Sequence, residues 1–237
     1  MGTAKALLDW HGSPLVVRVA RLVGRVAAPV VVVGAPGQQL PPIPGVRAAV
    51  DAAAGRGPLE GIAAGLRALE GRCEVAFVCA TDHPLLHPAF VLALADALRG
   101  SEAVVPWADG MPHPLTAAYR TSLLERAEQL LEAGEQRASA LADAADTQRL
   151  DASLLIHRES LRNANTRQSY DELLRLPEPA VHLDGRTFHA STVGRLLGAV
   201  PGGLPDGAAL FLDGERVDRD RELPLAADDE LTLAASG

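Results

Sequence analysis

Hydrophobic and polar positions follow two periods along the first two thirds of the chain. Val30 to Val33 is an unbroken β-branched run closed by Gly34, which predicts a strand buried on both faces. Ahead of it, Leu15, Val16, Val19, Leu22 and Val23 recur at helical spacing, with Ser13 expected as N-cap and Pro14 in the first turn. Val46 to Val50, Val75 to Cys79 and Ala103 to Pro106 read as further strands, and Gly61 to Leu69 and Pro88 to Leu98 as helices. Strands alternating with helices predict an α/β fold, a mostly parallel sheet with helices on both faces. Ligands of such sheets sit at the carboxyl ends of the strands, where the polar and glycine residues of this chain collect.

The rhythm changes at Arg175 to Pro179, where two prolines two residues apart suggest a short stiff linker. Val181 to Ala190 then reads as a hairpin around Asp184-Gly185, a pair suited to a type I′ turn. Thr192 to Val200 is helical, Ala208 to Val217 is a second hairpin around Asp213-Gly214, and Leu223 to Ala234 is an alternating strand. A ββαββ order predicts a small α+β module. The expected organisation is one domain over residues 1–176 and another over 180–237.

Composition narrows the classes. A hydrophobic fraction of 48% with 22% charged residues is ordinary for a globular protein. The net charge of −8 argues against a general nucleic-acid binder, which needs a basic face. It leaves room for a small phosphorylated ligand, held by a few local cations and backbone N–H groups. Cys73 and Cys79 make neither a disulfide framework nor a zinc motif, and a structural role is expected of both. No apolar stretch is long enough to span a membrane, and Met1 to Trp10 lacks the marks of a secretory signal, so a cytoplasmic protein is expected.

Five segments offer chemistry. Lys5, the only lysine, follows Gly2 in a loop before a helix and can reach a phosphate; alone, it reads equally as a solvated surface lysine. Asp51 is followed by Gly55 to Gly61, whose glycines let the backbone approach a ligand, although such loops are usually turns. Asp82 ends a buried strand and precedes His83-Pro84, a place for a magnesium ion or for a turn former. His113-Pro114-Leu115 and Asn163-Ala164-Asn165 complete the set, the asparagines offering amide donors and acceptors at what reads as a strand end.

In this order and spacing the five segments resemble the molybdenum cofactor guanylyltransferases, which join GMP to molybdopterin. The resemblance covers about residues 1–175 and implies a Rossmann-like nucleotidyltransferase fold. Met1-Gly2 matches the middle of the family's glycine-rich loop, and Lys5 its phosphate-contacting lysine. Asp51 and Gly57-Pro58-Leu59-Glu60-Gly61 match the segment contacting guanine and ribose, and Asp82 matches the magnesium ligand, with Thr81 and His83 as departures. His113 and Pro114 match the Gln-Pro-Leu stretch, and Asn163 and Asn165 the Asn-x-Asn-Thr near the cofactor site. Residues 180–237 are similar to the β-grasp (ubiquitin-like) sulfur carriers, through Asp213-Gly214-Glu215 and Asp228 to Leu233. Those carriers end in Gly-Gly; this chain ends in Ser236-Gly237, and no thiocarboxylate is expected on Gly237.

The resemblance implies a magnesium-dependent transfer of GMP from GTP to molybdopterin, with pyrophosphate leaving. Lys5 and Asp82 are the expected catalytic residues, and the β-grasp module is expected to dock proteins of the same pathway. The alternatives are a cytidylyl or sugar-phosphate nucleotidyltransferase and a non-catalytic carrier or scaffold. The family's first strand and Ala-Gly-Gly stretch would precede Met1. The chain as written is therefore expected to bind GTP poorly, and one extended upstream by about 15 residues to bind and turn it over.

Overall fold

A computed structural model describes residues 5–51, 56–205 and 207–235. A 3-10 turn, Lys5–Leu7, leads into a small hairpin of β1 (Asp9–Trp10) and β2 (Ser13–Pro14), then α1 (Leu15–Gly24). Ser13 is not the cap expected of it: it pairs with Trp10, and Pro14, at φ −58° and ψ 141°, holds the cap position with no side-chain bond. The extended backbone that suits a strand bridge also suits the residue before a proline, so the hairpin takes Ser13. Next come β3 (Val30–Gly34), β4 (Val46–Val50), α2 (Gly57–Leu69), β5 (Val75–Cys79) and α3 (Pro88–Ala97). They are followed by β6 (Ala103–Ala108), β7 (Met111–Pro112), β8 (Thr116–Arg120), α4 (Leu124–Glu132), α5 (Ala138–Ala144), β9 (Thr147–Asp151) and α6 (Arg167–Leu174).

The strands of this part form two sheets. β3 and β4 pair in parallel, Val30 opposite Val46. The larger sheet runs β5-β8-β6-β7, with β9 also on β6. β8 is antiparallel to β5 and to β6, whereas β9 is parallel to β6. Consequently β5, β6 and β9 share one direction and β8 opposes them, in a mixed rather than uniformly parallel sheet. Helices cover both faces. Leu59, Ile62 and Leu66 of α2 pack with Leu124 and Leu141 against Ala76 and Tyr119, while Phe90 and Leu94 of α3 pack with Val19 and Leu22 of α1 against Val104 and Ala118. Each helix buries an apolar stripe at spacings of three and four residues, which is what orients it on the sheet.

β3 and β5 do not pair with each other. Between them lies a cavity of about 400 Å³, walled by the Val30–Val33 and Val75–Cys79 strands and by apolar residues of α1 and α2, among them Val19, Ile62 and Leu66. Among the described residues each of the two strands has a single partner strand, β4 and β8 respectively. Their facing edges carry backbone polar groups that a sheet would normally satisfy.

The C-terminal part comprises β10 (Ala180–Leu183), β11 (Arg186–His189), α7 (Val193–Ala199), β12 (Ala208–Leu212), β13 (Glu215–Arg216) and β14 (Glu230–Ala235). Its five-stranded sheet has the order β11-β10-β14-β12-β13, with β14 parallel to β10 and antiparallel to β12. Both expected turns are present, with positive φ at Asp184 (46°) and Gly185 (76°) and at Asp213 (53°) and Gly214 (83°). α7 lays Leu196 on a core of Val181, Leu210, Leu212, Leu225 and Leu231. The strand expected from Leu223 begins only at Glu230, because the preceding backbone is used elsewhere: Leu225 N–H bonds to Ser191 O, and Leu223 O accepts from Val193 N–H. Among the described residues no helix is long and apolar enough to cross a membrane.

Candidate active site

The five candidate segments come from five different stretches of chain, and the fold gathers most of them at one end of the N-terminal part. Asp51 follows β4, its N–H bonded to Gly34 O at 3.0 Å, and its Oδ1 is buried with no hydrogen-bond partner among the described residues. Burial, and then the neighbouring Glu60 carboxylate, raise the Asp51 pKa. Asp51 shares the β3–β5 cavity with Pro58, Gly61, Thr81 and Leu115, and a Cβ on Gly61 would lie 3.8 Å from Asp51 Oδ1.

Gly57 and Leu59 have a local task. Gly57 has φ +75°, and a side chain there would come within 2.7 Å of Gln136 O, so only glycine fits. The same carbonyl accepts a bond from Leu59 N–H at 3.1 Å, and Leu59 is fully buried. Pro58 stands in the first turn of α2, a position where its missing N–H costs nothing. The start of α2 is thus held to the loop at Gln136, which fixes where Gly61 and Glu60 face. Glu60, quoted within the sequence motif and not singled out there, is 2% exposed in α2, with Arg56 at 3.5 Å.

Asp82 is 8% exposed just past the end of β5, and no hydrogen bond to its carboxylate is found among the described residues. Its backbone O accepts from Ala164 N–H at 2.8 Å, so Asn163 and Asn165 flank the Asp82 loop. Lys5 Nζ donates to Asn165 Oδ1 at 3.1 Å, a contact across 160 residues that unites the first and last of the five motifs. The asparagines do not end a strand as expected: they lie between a 3-10 turn, Arg158–Leu161, and α6, whose cap Thr166 accepts from Ser169 N–H. Backbone bonds that a strand would need are spent on this connection.

His83 lines the interior. Nδ1–H donates to Ser160 O at 2.9 Å, and Nε2 lies 3.2 Å from the Thr116 hydroxyl and 3.8 Å from Asp82 Oδ1. Burial holds its pKa below the ordinary value, against the opposing pull of the Ser160 carbonyl and Asp82. A neutral imidazole tied to three elements positions the loop. Cys79, one turn earlier, gives its Sγ–H to Ala80 O, and burial pushes its thiol pKa up, which suits a structural cysteine. Pro114 O accepts from Tyr119 OH at 2.8 Å, and Leu115 O from Ala80 N–H at 2.9 Å, locking the His113-Pro114-Leu115 stretch against β5.

His113 and Asn163 open onto a second, wider groove of about 1180 Å³, beside β9, that also contains Arg149, Arg158 and Arg162. Arg149 stacks 5.0 Å over the Trp107 ring. These arginines escaped the sequence reading because nothing in their local pattern distinguishes them from the many other surface arginines of the chain; only the β6–β9 pairing brings them beside His113.

Magnesium can be judged on this donor set. Among the described residues no group of three or more His, Cys, Asp or Glu could enclose a metal ion. Asp82, with an unbonded carboxylate near a cation-bearing turn, fits an ion that takes its other ligands from phosphate oxygens and water.

The MobA-like NTP transferase domain family matches residues 1–150. The chain belongs to that family. It is 43% identical over 157 residues to a protein of Mycobacterium bovis (strain BCG / Pasteur 1173P2) named as a probable molybdenum cofactor guanylyltransferase, covering 63% of this chain and 76% of that one. A Mycobacterium ulcerans protein of the same name is 42% identical over 173 residues, 70% of this chain and 83% of its own. Among solved structures, molybdopterin-guanine dinucleotide biosynthesis protein A from Archaeoglobus fulgidus superposes with a TM-score of 0.57 at 21% identity, over 72% of this chain and 89% of that one. 2-C-methyl-D-erythritol 4-phosphate cytidylyltransferase from Thermus thermophilus gives 0.56 at 19% identity, over 73% and 94%. Both structures support the nucleotidyltransferase fold.

Proposed function

We propose that this protein transfers GMP from GTP to molybdopterin in the presence of Mg²⁺. The observation that carries the reading is the junction of Lys5, Asn165 and the Asp82 loop: Lys5 Nζ donates to Asn165 Oδ1, and the adjacent Ala164 N–H donates to the backbone O of Asp82 at the end of β5. In the reaction a phosphate oxygen of the pterin attacks the GTP α-phosphate in line, the bond to the β-phosphate oxygen breaks, and pyrophosphate departs. Such chemistry asks for positioning and charge neutralisation rather than a protein nucleophile. Asp82 would hold the Mg²⁺, which supplies charge for the phosphates when bound, and Lys5 would neutralise the triphosphate. Asp51 and the Gly57–Gly61 stretch would face guanine and ribose, and the groove of His113, Asn163, Arg149 and Arg158 would take the phosphorylated pterin. The names of the mycobacterial relatives support this assignment. The C-terminal module we read as a β-grasp unit, on the strength of its strand order, that docks a protein of the same cytoplasmic pathway; its Gly237 lies outside the described residues.

The test is nucleotide selectivity. A site that satisfies a guanine edge with buried polar groups rejects bases that leave them unpaired. GTP with Mg²⁺ should raise the melting temperature, and CTP or ATP should do so weakly or not at all. Equal shifts with CTP would move the reading to a cytidylyl transferase.

A further inference from the structure

The C-terminal module is fastened to α1 by three arginines spaced to lie on one face of that helix. Arg25 makes a two-bond pair with Asp229, at 2.7 and 2.8 Å, and Arg21 pairs with Asp220. Asp229 also accepts from Ala226 N–H at 2.8 Å, and Ala226 sits in the core of the N-terminal part beside Leu22, Leu86 and Phe90. His87 Nε2–H adds a bond to Ala227 O at 2.8 Å. These contacts dock the Leu223–Asp229 segment against the Asp82–His87 loop.

Arg18 is different in kind. It is 4% exposed, and among the described residues it pairs with no carboxylate; its guanidinium donates to three backbone carbonyls instead. Nε–H bonds to Pro84 O at 2.7 Å, Nη1 to Ser191 O at 3.0 Å, and Nη2 to Leu225 O at 3.0 Å. Burial pushes its pKa down to about 10, against the attraction of the more distant Asp229 and Glu178. A buried guanidinium paired with no acid is costly to desolvate, and its planar fork spreads donors on separate nitrogens to carbonyls on three separate segments. Two of those segments belong to the C-terminal module, and the third lies two residues from Asp82.

We propose that Arg18 is a positioning residue through which the docked C-terminal module sets the place of the Asp82 carboxylate. The argument deepens the transferase reading and rests on it for the role of Asp82. Arg18 fixes Pro84 O from one side, while Ala164 N–H fixes Asp82 O and Ser160 O fixes the His83 ring from the other. Loss of the guanidinium removes the donor from two buried carbonyls, Pro84 O and Leu225 O, and both segments must shift to find new ones. The transferase site is then complete only while the module is seated.

The experiment uses the whole chain. In Arg18→Lys the charge is kept but a single nitrogen replaces the fork; in Asp229→Asn Arg18 stays and the docking is weakened. Amide exchange at Leu86, bonded to His83 O, and at Ala164, bonded to Asp82 O, should speed up at least about tenfold in both variants, with Tyr119 in β8 changing little. The Mg²⁺ concentration giving half of the GTP-induced rise in melting temperature should increase at least about fivefold, a readout that mere loosening of the module would not move. Faster exchange confined to the module, at Val193 and Leu225, with Leu86 and Ala164 unchanged, would show that Arg18 only glues the parts together. Equal acceleration in β8 would mean general destabilisation and would equally overturn the proposal. Should Arg18→Lys fail to fold, Asp229→Asn decides alone. A chain extended upstream that still gave no response to GTP would refute the transferase reading, while exchange in the present chain would still decide the coupling.

Discussion

The two parts of this molecule are built to opposite standards. The C-terminal sheet is continuous, its five strands paired in the order β11-β10-β14-β12-β13 around one core that α7 closes. In the N-terminal part β3 and β5 do not pair, and between them lie a cavity of about 400 Å³ and a buried Asp51 Oδ1 with no hydrogen-bond partner among the described residues. Closed packing makes a stable unit and leaves little room for a ligand. Unsatisfied polar groups at the rim of a gap are where binding energy is available. On the proposed reading, the chemistry belongs to the less closely packed half, and the better-packed half holds it in place.

The sharpest way to break that comparison is at Asp82. Asp82→Asn keeps the size and removes the charge for the metal, so GTP-dependent turnover should fall by at least about a hundredfold, roughly 3 kcal/mol of barrier, while pterin binding changes far less. Near-normal turnover in steady-state assays would make Asp82 a turn residue. Next in size is a pair of truncations. Leu196→Ala, in the fully buried C-terminal core, should cost about 2–3 kcal/mol by urea denaturation. Val32→Ala, on the wall of the β3–β5 cavity, should cost about 1 kcal/mol or less, since its side chain already lacks neighbours on one side. Equal costs would mean that the two halves are packed alike. The smallest effect concerns Asp51. Its folded pKa lies above the unfolded value, so folding stability is fully present below the unfolded pKa and falls as pH rises through the folded one. Asp51→Asn should therefore raise the melting temperature at pH 7 by about 1–3 °C, and the gain should vanish below about pH 4. A gain that persists at low pH would trace to packing instead.

Much of the fold was legible because its signals are local. The β-branched run at Val30–Val33, the two Asp-Gly turns and the proline-led start of α3 each act within a few residues, and each stands where expected. Ser13 was misread because its competition with the hairpin at Trp10 is settled by pairing, not by cap preference. The motif resemblance named Lys5, Asp82 and Asn165 separately, and their union depends on the path of 160 residues between the first and the last. Gly57 carried a functional label in the sequence, and the structure adds a steric reason at Gln136 that no local pattern contains.

By itself, the sequence determined the alternation of strands and helices, the change of architecture after Pro179 and the family, because periodicity, turn chemistry and motif spacing are short-range properties of the chain. Only the tertiary structure decided the reversed direction of β8, the cavity beside β3, the arginines gathered near His113 and the seat of Arg18 between Pro84, Ser191 and Leu225. Each of these depends on which buried polar group finds which partner across a long loop, and that choice is made by the whole packed chain rather than by any segment of it.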